Sequence, residues 1–274
     1  TGDAVRSSPL ILNDRVFVTS TDNFLYVLDA SDGTLILKKG FGAMITSSPA
    51  AYENSVFVTT WDGEVYATDV QTFLTLWAKQ LTAQGMLENY AIVTTPTVGE
   101  GILYVGSNNR YLYALDASSG DILWSFSAGD KVSDPATDNY RVYFGTHGGV
   151  FYALNAETGE NLWSFDAGNQ ILSAPVITES GVIVGNTGGD LYCLNKTDGS
   201  VVWKTHIGSV VYSPAVAYKK VFVSAGNGKV YCVGSWGSVG ETGASKGWLY
   251  LAIAALLLLA LFGLNKLKPV EMKK

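Results

Sequence analysis

The chain has 274 residues, of which 15% are charged, and a net charge of −6. Its 30 glycines, 15 tyrosines and seven tryptophans are typical of an all-β domain with many tight turns. The acidic balance argues against nucleic-acid binding, which requires a basic surface.

One sequence pattern recurs six times, about every 40 residues. Each copy opens with a proline preceded by small residues, at Pro9, Pro49, Pro96, Pro135, Pro175 and Pro214. A tyrosine follows in step, at Tyr26, Tyr66, Tyr113, Tyr152, Tyr192 and Tyr231. Four copies close with a tryptophan, at Trp77, Trp124, Trp163 and Trp203, whereas the first has Leu37 there. Such a period predicts a β-propeller, because one copy alone cannot bury its apolar faces and must stack on its neighbours.

The fourth copy serves as a template for one blade. Its alternating apolar residues predict four strands, at 135–137, 142–145, 150–154 and 161–165. A tight turn at 147–149 joins the second and third strands as a hairpin. The sequence therefore predicts a β-propeller of four-stranded blades.

The sixth copy stops after its third strand, at Val233. Propellers commonly protect their sheet edges by pairing the two chain ends in one blade. We therefore expect a six-bladed propeller over residues 1–233 whose last blade is completed by residues upstream of Thr1. The expectation places additional sequence, including an export signal, before Thr1.

The sequence of the C-terminal part predicts a membrane anchor. A Gly/Ser-rich linker over 234–246 precedes 18 uncharged residues at 247–264, long enough for one transmembrane α-helix. Four lysines make the tail 265–274 basic, so the positive-inside rule places the tail in the cytoplasm and the propeller outside. Because the third strand of the last blade ends away from its hairpin turn, we expect the opposite face to lie nearer the membrane. The alternative for 247–264 is a sorting signal that is later removed.

The copies GSNNRYLYALDASSGDILW (106–124) and GTHGGVFYALNAETGENLW (145–163) resemble the repeat of pyrroloquinoline-quinone (PQQ) propellers. The resemblance covers nearly all of residues 7–233. It implies either a PQQ-dependent oxidoreductase or the non-enzymatic, BamB-like branch of that family. Quinoprotein dehydrogenases of the family carry eight blades, a calcium site and adjacent cysteines. Here Cys193 and Cys232 are not adjacent but occupy the same place in neighbouring repeats, where we expect a small, buried position. Because these features of the dehydrogenases are not recognised in the sequence, we expect no cofactor and no catalytic residue.

Two sets of candidate binding residues lie where the hairpin turns and the loops between blades meet on one face. The first is a hypothetical partner surface, to which an insertion at 83–91 contributes. It consists of Trp61, Met86, Glu88, Tyr90, Arg110, Tyr111 and His147. Exposed aromatic and arginine side chains are common interface anchors. The alternative is a neutral length variation and ordinary solvated turns.

The second set lies at the mouth of the central channel, next to the prolines. It consists of Ser8, Ser48, Thr95, Asp134, Tyr212 and Ser213. A ring of hydroxyls with one acid would suit a small polar ligand or a cation; alternatively, small residues simply fit a crowded axis. His147 and His206 are the only histidines, and their spacing predicts no metal site.

These observations predict a scaffold or accessory subunit anchored in the cell membrane by one span, with the propeller outside. Its expected partners are other membrane or surface proteins and, through the C-terminal helix, the lipid bilayer. Two alternatives stay open: a surface receptor for a saccharide or another small ligand, and a PQQ-dependent oxidoreductase.

Overall fold

The computed structural model describes residues 1–81, 92, 94–218, 220–234 and 239–241. In this part of the chain, 24 strands form six four-stranded antiparallel sheets, and there is no helix. Sheet one contains β1 (Leu10–Leu12), β2 (Arg15–Ser20), β3 (Phe24–Asp29) and β4 (Leu35–Gly40). Sheet two contains β5 (Ala50–Tyr52), β6 (Ser55–Thr59), β7 (Glu64–Asp69) and β8 (Thr75–Gln80). Sheet three contains β9 (Thr97–Gly99), β10 (Ile102–Gly106), β11 (Tyr111–Asp116) and β12 (Ile122–Ser127).

The remaining sheets repeat the same order. Sheet four contains β13 (Ala136–Thr137), β14 (Arg141–Gly145), β15 (Val150–Asn155) and β16 (Asn161–Asp166). Sheet five contains β17 (Val176–Ile177), β18 (Val182–Gly185), β19 (Asp190–Leu194) and β20 (Val201–His206). Sheet six contains β21 (Val211–Ala217), β22 (Lys220–Ala225), β23 (Val230–Val233) and β24 (Val239–Glu241). The first strands of successive sheets are neighbours, which places them on the inner side of a β-propeller and the fourth strands outside.

Five apolar cores hold neighbouring sheets together, each built from equivalent positions of the repeat. In the core between sheets two and three, Phe57, Val65 and Ala67 of sheet two pack on Leu103 and Val105 of sheet three. The other four cores use the same positions. Stacking of repeats through their apolar faces, as the sequence predicts, is therefore the main source of burial.

The tryptophan that closes a repeat packs against a glycine of the next sheet. The indole Nε1 of Trp163 donates a hydrogen bond to the Lys196 carbonyl oxygen at 2.9 Å. A Cβ on Gly199, whose φ is +72°, would lie 2.5 Å from the Trp163 ring. Only glycine fits both this backbone conformation and this close approach. The same pairing joins Trp77 to Gly120 and Trp124 to Gly159.

The interface between sheets one and two reverses this arrangement. Leu37 replaces the tryptophan, and Phe73 stands at the glycine position with a φ of +59°. Leu37 and Phe73 pack against the same core cluster, and the Arg15 guanidinium lies 5.1 Å from the centre of the Phe73 ring. The aromatic ring that one sheet lacks is thus supplied by its neighbour, which preserves the volume of the core.

The prediction for the last blade is wrong in one respect. The fourth strand of sheet six is β24, whose Val239 and Glu241 pair with Val233 and Tyr231 of β23. The strand therefore comes from residues downstream of β23. A connection of a few residues costs less loop-closure entropy than pairing with a distant chain end. β24 lies within the predicted linker 234–246.

β24 also reverses the direction of the chain. Because it is antiparallel to β23, Glu241 lies beside Tyr231, at the end of the sheet that carries the hairpin turn. The expectation that the chain leaves the last blade from the opposite end is therefore wrong. Within the described residues, no helix has the length and apolarity needed to cross a membrane. The predicted span 247–264 and tail 265–274 lie outside the described residues.

Candidate functional site

One end of the sheets carries the turns between second and third strands together with the loops from each sheet to the next; we call it the turn face. In five of the sheets, a backbone hydrogen bond of 2.8–3.0 Å joins the turn to the segment that precedes the first strand of the same sheet. The donors and acceptors are Thr21 and Ala4, Trp61 and Met44, His147 and Lys131, Thr187 and Gln170, and Gly226 and Val210. Backbone hydrogen bonds therefore hold the turns of the turn face to the neighbouring loops.

Trp61 is fixed in place although much of its ring is open to solvent. Its backbone N–H donates to the Met44 carbonyl at 2.9 Å, and its indole Nε1 donates to Thr46 Oγ1 at 2.8 Å. The fully buried Ile45 anchors the same loop from below. A residue whose backbone and indole are each held by a hydrogen bond loses little conformational freedom when it binds a partner.

Other apolar side chains are exposed on the same face. Together with Trp61 they form the apolar rim, whose members are 39–46% exposed: Val5, Met44, Trp61, Leu172 and Tyr212. Sequence reasoning found Trp61 and Tyr212 but missed the other three. The neighbouring Ile45 and Ile171 are buried, so apolar character alone does not separate exposed from buried loop positions.

The remaining residues of the predicted partner surface divide between turns. Arg110 is exposed at a φ of +75°, and Tyr111 packs on Tyr113 with ring centres 6.0 Å apart. His147 is half-buried, and burial together with the Lys131 charge lowers its pKa, which favours the neutral imidazole. Three further predicted residues, Met86, Glu88 and Tyr90, lie outside the described residues.

At the channel mouth, the pre-proline residues form a chain of hydrogen bonds from sheet to sheet. The Ser8 N–H donates to Ser48 Oγ at 2.8 Å, and the Ser48 N–H donates to Thr95 Oγ1 at 3.3 Å. The Thr95 N–H donates to Asp134 Oδ1 at 2.9 Å. The next pre-proline residue, Ala174, offers no side-chain acceptor. Ser213 and Tyr212 are exposed on sheet six.

Four hydroxyls one position earlier, those of Ser7, Ser47, Thr94 and Ser133, donate to backbone carbonyls, whereas the buried Ser173 Oγ has no hydrogen-bond partner among the described residues. Ser47 Oγ donates to the Thr59 carbonyl at 3.1 Å, and Thr94 Oγ1 donates to the Gly106 carbonyl at 2.7 Å. Ser133 Oγ donates to the Ile171 carbonyl of the next sheet. These bonds favour the interpretation that the residues are small because they fit the crowded axis of the propeller. Four of their hydroxyls bond to the backbone, since buried polar groups require partners. Ligand binding at the mouth stays a prediction.

The ionisation of Asp134, at the channel mouth, is expected to make the stability of the protein depend on pH. Burial raises the pKa of this carboxyl to about 6, although the Thr95 N–H lowers it. Because the unfolded carboxyl has a pKa near 3.8, the folded state binds the extra proton between about pH 4 and pH 6. We therefore expect stability to fall by about 1–3 kcal/mol as the pH rises through this window.

Urea denaturation at a series of pH values measures this effect. Asp134→Asn keeps an acceptor for the Thr95 N–H but cannot ionise, so the variant should lose the decrease between pH 4 and pH 6. An equal pH dependence in both proteins would assign the effect to another group.

A further polar cluster on sheet five was not recognised from the sequence. Asp190 accepts hydrogen bonds from Lys204 Nζ at 3.0 Å and from His206 Nδ1 at 2.8 Å. Burial raises the pKa of Asp190, but these two partners more than offset it, and the pKa is lowered. Asp190 and His206 are paired across β19 and β20, a relation that becomes evident only once the strand register is known. In the described part of the chain, no group of three or more His, Cys, Asp or Glu is placed to hold a metal ion.

The sequence matches a known protein family. Residues 3–95 and 88–249 match the model of a family described as outer membrane protein assembly factor BamB. The chain belongs to this BamB family. A search of curated proteins gives no match.

Solved structures similar to this BamB-family chain share its fold at low sequence identity. BamB from Moraxella catarrhalis has a TM-score of 0.72 and 16% identity, with 89% of this chain matching 78% of that one. The computationally designed Ika8 protein has a TM-score of 0.73 and 19% identity, with 84% matching 70%. Quinohemoprotein alcohol dehydrogenase ADHIIG from Pseudomonas putida HK5 has a TM-score of 0.63 and 18% identity. There, 75% of this chain matches only 42% of the dehydrogenase.

Proposed function

We propose that this chain is a protein-binding scaffold or accessory subunit and that the turn face is its partner surface. The apolar rim is the observation that carries the proposal. Five large apolar side chains remain exposed there, on a turn, on the segments that precede sheets and on β21, and backbone hydrogen bonds join these turns to the preceding segments. Interfaces favour aromatic residues, methionine and arginine at a preorganised surface. Membership of a family described as an assembly factor supports a role in binding other proteins.

We further propose that the chain is anchored in a membrane by residues 247–264 and that the propeller lies outside the cytoplasm. The uncharged run and the lysines that follow it support this topology. β24 ends at the turn-face end of sheet six, and only residues 242–246 separate it from the uncharged run. Five residues reach at most about 18 Å. On this proposal the turn face is close to the bilayer, where it would meet membrane proteins.

The partner surface is tested by removing its anchors. Trp61→Ala combined with Arg110→Ala should weaken partner binding at least about tenfold, because aromatic and arginine anchors dominate interface energy. The melting temperature should change little, since both side chains are exposed. The partner is first identified by mass spectrometry after mild-detergent purification of the full chain, and its affinity for each variant is then measured by biolayer interferometry.

A matched control removes exposed apolar residues away from the turn face. Leu74→Ala combined with Leu123→Ala truncates exposed side chains at and before the outer strands and should leave partner affinity unchanged. Equal loss of binding in both double variants would locate the interface elsewhere. An absorbance spectrum of the same peak tests the alternative function: a quinone chromophore without a stoichiometric partner would favour the oxidoreductase.

A further inference from the structure

The turn between the third and fourth strands of sheet five carries an acceptor pattern for N-linked saccharides. Asn195-Lys196-Thr197 places a threonine two residues after an asparagine, with no proline between them. An asparagine followed in this way by serine or threonine is the pattern that N-glycosylation requires. No other asparagine of the 274-residue sequence is followed by serine or threonine at this spacing. The chain therefore offers a single candidate for this modification.

The turn holds the Asn195 side chain in one orientation and leaves its amide nitrogen free. Asn195 Oδ1 accepts a hydrogen bond from the Thr197 N–H at 2.8 Å. Two backbone bonds close the same turn, from the Asn195 N–H to the Ser200 carbonyl at 2.8 Å and from the Gly199 N–H to the Asn195 carbonyl at 2.9 Å. Asn195 Nδ2 is not buried, and it donates no hydrogen bond within the described part of the chain. The nitrogen that would carry a saccharide is therefore accessible from solvent.

The hydroxyl of the acceptor pattern is free as well, in contrast to its equivalents in two other sheets. In sheets one and three, the serine at this place donates its hydroxyl to the aspartate that begins the turn. These bonds run from Ser31 Oγ to Asp29 Oδ1 and from Ser118 Oγ to Asp116 Oδ1, each at 2.5 Å. Thr197 is exposed, and its Oγ1 has no hydrogen-bond partner among the described residues. The turn of sheet five therefore folds without using the hydroxyl that the pattern supplies.

Sheet four contains the same turn without the acceptor pattern. Asn155 Oδ1 accepts a hydrogen bond from the Glu157 N–H at 3.0 Å, as Asn195 Oδ1 does from the Thr197 N–H. An asparagine at the start of a turn is favoured because its side chain bonds to the backbone two residues on. Since Glu157 stands where sheet five has Thr197, the shape of the turn explains Asn195 but does not require the hydroxyl.

The turn lies at the end of sheet five opposite the turn face. β19 separates Asn195 from the hairpin turn by five residues, about 16 Å of strand. Thr197 and Asp198 beside it are exposed. A saccharide on Asn195 would therefore be surrounded by solvent and would leave the turn face free for a partner.

We propose that Asn195 is a modification site that carries an N-linked saccharide. In the transfer, Asn195 Nδ2 forms a bond to C1 of a saccharide whose donor is a polyprenyl-linked phosphate or pyrophosphate. The bond between C1 and the phosphate oxygen breaks, the lipid phosphate leaves with the bonding electrons, and Nδ2 loses one proton to a base of the transferase. Because this modification belongs to exported proteins, the inference rests on the proposed location of the propeller outside the cytoplasm but not on the partner surface.

Mass spectrometry of the full chain, purified from the cells that make it, tests the proposal. Peptides that contain Asn195 should carry a saccharide on that residue. Asn195→Gln and Thr197→Ala should each lower the modified fraction at least about tenfold, because they remove the acceptor or the hydroxyl that the transferase recognises. Thr197→Ser keeps a hydroxyl and should keep the saccharide. Because Thr197 is exposed, its two variants should fold as the parent does.

Glu157→Thr is the matched control that adds a site. The substitution replaces an exposed residue and creates the acceptor pattern at Asn155, in the equivalent turn of sheet four. This variant should carry two saccharides, one on Asn155 and one on Asn195.

Labelling of intact cells by a membrane-impermeant amine reagent reports the location of the propeller independently. Unmodified Asn195 in a labelled propeller would overturn this inference and leave the proposed location standing, as would modification of Glu157→Thr at Asn155 alone. Unmodified Asn195 in a propeller that is not labelled would overturn both. A saccharide that persists in Thr197→Ala would show that attachment does not use the acceptor pattern, which would also overturn the proposal.

Discussion

Replacing Trp163 with alanine is expected to lower the free energy of unfolding by about 3–5 kcal/mol. Trp163 is 8% exposed and lies in the core between sheets four and five, against Tyr143 and Phe151. The substitution removes this aromatic packing and leaves the Lys196 carbonyl without the indole donor. Urea denaturation followed by circular dichroism measures the loss.

Trp61→Ala is the matched control, because it removes the same side chain from an exposed position on the turn face. The control should lose less than about 1.5 kcal/mol, mainly through the hydrogen bond to Thr46. If Trp163→Ala also lost under about 1 kcal/mol, the proposed packing of tryptophan between neighbouring sheets would be wrong.

Gly199→Ala is expected to lower the free energy of unfolding by about 2–4 kcal/mol, although it adds a single methyl group. The new Cβ would lie 2.5 Å from Cε3 and 2.8 Å from Cδ2 of Trp163. In addition, the φ of +72° is unfavourable for any residue with a Cβ. The indole cannot retreat without breaking its hydrogen bond to Lys196. Chemical denaturation, compared with the unmodified chain, measures the loss.

Gly168→Ala separates the two causes. Gly168 also has a φ of +72°, but no atom lies within 4 Å of a Cβ placed there. This control should therefore lose only about 1 kcal/mol, the cost of the backbone conformation alone. If both variants lost the same free energy of unfolding, the contact with Trp163 would not contribute to the destabilisation by Gly199→Ala.

The strands and turns were predictable from the sequence because every repeat carries the same local signals. The template expected strands at 142–145 and 150–154, and the structure has β14 at Arg141–Gly145 and β15 at Val150–Asn155. Period-two alternation and glycine-containing turns act over a few neighbouring residues. A buried position was expected at both cysteines from their repeat equivalents; the prediction is correct for Cys193, whereas Cys232 is only half-buried.

The candidate site was less predictable. Trp61 and Arg110 could be placed on the turn face because the turns follow directly from the repeat. Met44 and Leu172 were missed, because exposure in a loop depends on which atoms of other segments cover it. Each of the three hydrogen bonds that link Ser8 to Asp134 joins residues 39–47 positions apart, and only the assembled inner strands bring these residues together.

By itself the sequence determined the repeat, the four strands of each sheet and the faces on which sheets stack. These properties follow from local geometry and from the cost of leaving apolar faces in water. Only the tertiary structure decided that β24 completes sheet six and that hydrogen bonds join the pre-proline residues from sheet to sheet. Both depend on how separate segments of the chain meet, which the residues of a single repeat do not encode.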